Sequence, residues 1–136
     1  MKKNNICVLF PDSGAYKWGI KLLDKLGLDV EVYTASKSRK FENGKSILTQ
    51  MIDKQDFDGK DVLIIDDCLV FGGTFIGLAK LLKERNVGNL YLAVSHITVK
   101  NPNKELEGAF KKIYATNSKY DEYDLSNLTL FNFPTS

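Results

Sequence analysis

Three short runs of this chain are apolar at every position: Ile6–Phe10, Val62–Ile65 and Leu90–Val94. A strand that alternates apolar and polar residues buries one face, whereas an uninterrupted apolar strand is buried on both. Such strands belong inside a sheet that helices cover on either side. Between them the hydrophobic period switches to that of a helix. Ala15, Trp18, Leu22 and Leu26 share one face of a segment over 15–26, with Gly27 as its stop and Trp18 assigned to the core. Phe75, Leu78, Ala79 and Leu82 do the same further on, with Gly88 past the end. Residues 29–35 (DVEVYTA) read as a second strand, 61–66 (DVLIID) as a third, 90–97 as a fourth and 112–116 (KIYAT) as a fifth. Pro102-Asn103 opens a short helical stretch through Phe110, and 128–133 (LTLFNF) reads as a last, edge strand. Residues 36–50 are polar and centre on Asn43-Gly44, the signal of a loop or a flexible hairpin. The pattern predicts an α/β, three-layer fold: a mostly parallel sheet with helices on both faces.

The 136 residues suit a single domain over 1–136, long enough to bury a core without staples. Net charge is +2, from 19 basic and 17 acidic side chains, which argues against a nucleic-acid partner. No apolar run reaches the ~18 residues of a membrane span, and the apolar run after MKKNN is too short for a signal peptide. Cys7 and Cys68 stand in unrelated contexts and read as reduced thiols of a cytoplasmic protein.

In open parallel sheets, ligands bind beyond the carboxyl ends of the strands. The loop with the most pronounced chemistry follows the third strand: Asp66-Asp67-Cys68-Leu69-Val70-Phe71-Gly72-Gly73-Thr74. Gly72 and Gly73 allow positive φ and a close backbone approach. Thr74 is placed to cap the next helix or donate a hydroxyl, and the first N–H groups of that helix have no internal partner. This suits a phosphate. Two carboxylates repel a phosphate, but they suit sugar hydroxyls or a hydrated magnesium ion (Mg2+). Together they describe a ribose 5-phosphate site. Taken singly, the same residues also read as a capped strand-to-helix turn. Likewise, a charged stretch such as Lys37 to Lys40 is by itself a solvated surface loop.

The stretch VLIIDDCLVFGGTF resembles the phosphoribosyl pyrophosphate (PRPP) signature of the type I phosphoribosyltransferase superfamily. Asp66, Asp67, Gly72, Gly73 and Thr74 match it, and Phe71 stands where threonine is common. Four further segments resemble ribose-phosphate pyrophosphokinases in order. LFPDSGAYKWG is similar to a segment whose aspartate binds magnesium and whose loop holds pyrophosphate; this implies Asp12 as a metal ligand and Asp12, Ser13 and Gly14 as pyrophosphate contacts. SKSRKFENGK resembles a flexible catalytic loop, implying catalytic roles for Lys37 and Arg39. VSHITVK and IYATNS resemble the segments after the fourth and fifth strands, and His96 in the former reads as structural.

The resemblance covers the carboxyl-terminal half of such an enzyme. It implies a transferase of nucleotide biosynthesis acting on ribose 5-phosphate, PRPP and ATP, with the ATP site completed by self-association or a partner subunit. Two other readings stay open: a compact transferase acting on a base, and a protein that binds or sequesters a sugar phosphate or nucleotide without turnover. The tail residues Tyr120, Tyr123, Phe131 and Phe133 read as cover for a sheet edge, a dimer contact or stacking for a base.

Overall fold

The computed structural model describes residues 6–27, 29–116 and 123–131. Strand β1 (Ile6–Phe10) leads into helix α1 (Ser13–Leu26) and strand β2 (Glu31–Thr34). A hairpin follows, β3 (Ser36–Glu42) and β4 (Lys45–Met51), and then strand β5 (Asp61–Leu69). Helix α2 (Gly73–Lys83), β6 (Leu90–Ile97), helix α3 (Glu105–Ala109), β7 (Lys112–Thr116) and β8 (Leu128–Phe131) complete the order. Six strands form one sheet in the order β2-β1-β5-β6-β7-β8, every pair parallel. The expected edge strand is β8. Asn117, Ser118, Tyr120 and Phe133, singled out above, lie outside the described residues.

Strand alternation sorts the interior into two clusters, one per face of the sheet. Val8, Phe10, Leu63 and Ile65 pack with Ala15 and Leu23 of α1. Cys7, Leu9, Val62 and Ile64 pack with Phe75, Leu78 and Leu82 of α2 and Leu106 of α3. This is the three-layer arrangement the apolar strands predict. Helix α1 is closed at both ends. The Asp12 carboxylate accepts the N–H of Ala15 at 2.9 Å, and Gly27 turns left-handed at φ 68°.

The polar stretch after β2 takes the hairpin alternative. Asn43 and Gly44 adopt φ 51° and 74°, as a tight two-residue turn needs. The hairpin stands apart from the main sheet, and Phe41 near its tip is 82% exposed. Its base is tied down. The guanidinium of Arg85, just past α2, donates to the carbonyls of Ile52 and Lys54. The amide of Gln50 donates to the Thr74 carbonyl at 3.1 Å.

Gly19 sets how closely α1 lies on the sheet. A Cβ there would stand 1.9 Å from Cε1 of Phe10. In an open helix, Gly→Ala stabilises by up to about 1 kcal/mol. Here Gly19→Ala is expected to destabilise, by about 1–3 kcal/mol of overpacking, measured by chemical denaturation. A stability gain would show that α1 does not rest on Phe10.

Candidate functional site

Strand β5 is longer than the sequence pattern predicts. It continues past Asp66 to Leu69, because Cys68 and Leu69 still pair with His96 and Ile97 of β6. The acid pair is therefore the far end of a rigid central strand, not part of the turn. Alternation sends the two carboxylates to opposite faces: Asp66 continues the series Val62, Ile64, and Asp67 the series Leu63, Ile65. Accordingly Asp66 lines cavities on both sides of the strand end, and Asp67 only the one on the α1 side.

The turn is Val70 to Gly72. Gly72 has φ 112°, and a Cβ on it would stand 2.8 Å from Cδ1 of Leu106. Only glycine meets both demands. Gly73 does not have positive φ, and a Cβ on it would meet nothing within 4 Å. The carbonyls of this segment face protein. Leu69 O accepts the N–H of Thr98, Phe71 O that of Asn103, and Gly72 O that of Ile76. Helix α2 begins here, and no side chain caps it. Thr74 lines the cavity without capping, contrary to one of its expected roles. The first N–H groups of α2, which lack partners inside the helix, thus open on a cavity of about 390 Å³. Asp66, Cys68, Val70, Phe71, Gly72, Gly73 and Thr74 line it, with Lys37 of β3. An uncapped helix start beside a lysine has the polarity that suits an anion.

Not every predicted site residue reaches this cavity. Leu69 is fully buried in the apolar cluster on the α2 side and does not line the cavity. Arg39 lies two positions beyond Lys37 on β3, in register with Leu48. Asp12 and Gly14 line the second cavity, of about 370 Å³, with Asp66, Asp67, Ala15 and Trp18. Ser13 begins α1 and is exposed. Trp18 corrects the sequence reading. It is 41% exposed and lines this cavity, because the buried stripe of α1 runs through Ala15, Gly19 and Leu23 instead. The period of the apolar residues pointed to the wrong face, since a glycine carries no hydrophobic signal although it packs closest. Gln50, which joins the hairpin to α2, also escaped the sequence reading; a lone glutamine in a polar stretch carries no pattern.

Asp66 is the electrostatic centre. Partial burial first, and then the Asp67 and Asp12 carboxylates, together push its carboxyl up to about 6, against one N–H bond from Asp67. Among the described residues, no three His, Cys, Asp or Glu side chains converge to hold a metal by themselves.

Residues 1–124 match the family model described as the phosphoribosyl transferase domain. The chain belongs to this family. The chain is 31% identical over 102 residues to a ribose-phosphate pyrophosphokinase of Corynebacterium glutamicum, covering 75% of this chain and 31% of that protein. To the enzyme of the same name from Chlorobaculum tepidum it is 30% identical over 123 residues, 89% of this chain and 36% of the other. The chain thus spans about a third of the length of the curated relatives it matches. Among solved structures, a phosphoribosylpyrophosphate synthetase from Mycobacterium smegmatis superposes with a TM-score of 0.69 at 22% identity, over 95% of this chain and 41% of that one. A hypoxanthine phosphoribosyltransferase from Staphylococcus aureus follows at 0.57 and 17%, over 96% and 63%. These likenesses show the phosphoribosyltransferase type I α/β fold. No described helix is long and apolar enough to cross a membrane.

The raised Asp66 carboxyl has a pH consequence. Between about 4 and about 6 the folded chain holds a proton that the unfolded chain has released. Unfolding then releases a proton, so the Asp66 contribution to stability falls as pH rises through that window and stays flat above it. Asp66→Asn keeps an oxygen to accept the Asp67 N–H and removes the charge. The variant is expected to be more stable than the parent at about pH 8, with a flatter profile between about 4 and 6, read by denaturation midpoints. Equal midpoints at the higher pH would show that Asp66 is well solvated.

Proposed function

We propose that Asp66 to Thr74 bind the ribose 5-phosphate portion of ribose 5-phosphate or PRPP. Completed by self-association or a partner subunit, this member of the phosphoribosyl transferase family transfers pyrophosphate from ATP to ribose 5-phosphate in the cytoplasm. One observation carries the reading: the uncapped start of α2 opens on a cavity that also holds Asp66 and Lys37. The N–H groups of that first turn suit the 5-phosphate, and the acids suit the ribose hydroxyls. The relatives named as ribose-phosphate pyrophosphokinases support the reaction class.

In the transfer, the anomeric hydroxyl of the sugar attacks the β-phosphorus of ATP. The bond from that phosphorus to the oxygen bridging it to the α-phosphate breaks, AMP leaves, and the hydroxyl proton is lost. Charge grows on the migrating oxygens, where fixed cations are most effective. Lys37 supplies a point charge from β3, and Arg39, two residues along, is the second candidate. Magnesium, held by Asp12 together with phosphate oxygens and water, would neutralise the pyrophosphate. Asp12 has a second oxygen to offer, because only Oδ1 is engaged in the helix cap.

A second reading, binding without turnover, draws on Phe71. It is 57% exposed in the loop and offers the phosphate no hydroxyl there. Substitutions separate the two. Lys37→Ala and Arg39→Ala are expected to lower turnover by on the order of 10²–10³ while ribose 5-phosphate still binds. Unchanged turnover would remove the hairpin from the chemistry. Gly73→Val, in open space, is expected to leave the fold intact and abolish binding of a 5-phosphate, followed by calorimetry. Retained binding would displace the phosphate from the α2 terminus. The direct assay incubates the chain with ribose 5-phosphate, ATP and magnesium and separates the products. Equal amounts of AMP and PRPP are expected; their absence would rule out synthesis by the chain alone and leave a partner-dependent enzyme, base transfer or simple binding.

A further inference from the structure

Trp18 is the single tryptophan of the chain, and it is 41% exposed, off the buried stripe of α1. Helix α1 is locked in rotation by Gly19, whose backbone lies against the Phe10 ring, with Ala15 and Leu23 buried on the same stripe. Trp18 stands at the margin of that stripe. Gly14 lies four residues earlier, hence on the same side of the helix one turn away. Side chains on a helix lean toward its amino terminus, so the indole leans toward the turn that Gly14 occupies. Gly14 has no side chain to cover it, and a Cβ there would meet only Asp12 Oδ1, at 3.3 Å. The result is a half-exposed aromatic wall in the cavity lined by Asp12, Asp66 and Asp67.

That cavity lies across β5 from the α2 terminus, and Asp66 is shared between the two. A sugar phosphate held by the α2 terminus would have its hydroxyls at Asp66 and leave the indole unused. An indole face can stack on a heterocycle, whereas a phosphate chain has no π-face to offer it. The cavity, at about 370 Å³, is within the size range of small-molecule sites.

We propose that Trp18 is a base-stacking residue: the heterocycle of a magnesium-bound nucleotide lies against its indole, with the phosphates directed toward Asp12, Asp66 and Asp67. This rests on the nucleotide-dependent reading above and goes beyond it by giving the base a subsite within this chain, on the α1 side of the acid pair. Base-on-aromatic stacking of this kind contributes roughly a factor of 5 to 150 in affinity.

Because Trp18 is the only tryptophan, its fluorescence reports the subsite directly. The chain is titrated, in magnesium, with ATP, with inorganic tripolyphosphate as a probe lacking base and ribose, and with ribose 5-phosphate. ATP is expected to quench the indole, and tripolyphosphate and ribose 5-phosphate to leave it nearly unchanged. By calorimetry, Trp18→Ala is expected to weaken ATP roughly tenfold, Trp18→Phe to recover much of that loss, and neither to alter ribose 5-phosphate binding. Equal quenching by ATP and tripolyphosphate, an absence of quenching by ATP, or unchanged ATP affinity in Trp18→Ala would each overturn the proposal. The comparison among ligands decides the matter on the parent chain even if a variant fails to fold. Quenching by ATP without any ribose 5-phosphate binding would instead sink the sugar-phosphate reading and leave the stacking role standing.

Discussion

Everything at the candidate site depends on β5 being paired on both sides and covered on both faces. Its partners are β1 and β6, and its side chains enter both apolar clusters. A strand so enclosed cannot carry a charge along its length without a large desolvation cost. Its only tolerable place for carboxylates is the end that leaves the layers, and Asp66 and Asp67 stand there. The strand is rigid, so the acids are held rigidly as well. Because alternation sends them to opposite faces, one strand end serves two cavities.

The same geometry sets the electrostatics. Partial burial beside Asp67 and Asp12 keeps the Asp66 carboxyl near 6, an unfavourable state for an isolated domain. Acidic crowding on one side of the strand end and an uncapped helix start with Lys37 on the other place opposite potentials a short distance apart. The proposed ligand, with hydroxyls at one end and a phosphate at the other, carries a group suited to each side. A carboxyl pushed up where two cavities meet marks that strand end as the candidate site.

The hairpin illustrates a different balance. Its outer part packs on little, as the exposure of Phe41 indicates, while Gln50 and Arg85 join its base to both ends of α2. Lys37 is near that base and faces the cavity. The loop proposed to hold a phosphate and the hairpin that carries Lys37 therefore share one helix as support. A change at the start of α2 is felt by both.

Much of this was legible in the residues themselves. Apolar runs of strand length alternating with helix-period segments point to a covered parallel sheet, because both faces of such strands must be buried and helices are at hand to cover them. Two acids followed by a glycine turn mark the strand end where the proposed sugar-phosphate site falls, and only glycine takes the backbone of position 72. The Asn43-Gly44 turn was likewise readable from local conformational preference. Contacts between distant segments were not. That β5 continues to Leu69 depends on pairing with β6; that Leu69 is core while Val70 is surface depends on the pleat at the strand end. The rotation of α1 is decided by a glycine resting on Phe10, a contact without hydrophobic signature, and this turned Trp18 from an expected core residue into the wall of a cavity. Local preference and periodicity are properties of neighbouring residues and can be read along the chain. Which face a helix presents is settled by what it packs against, and that exists only once the chain has folded.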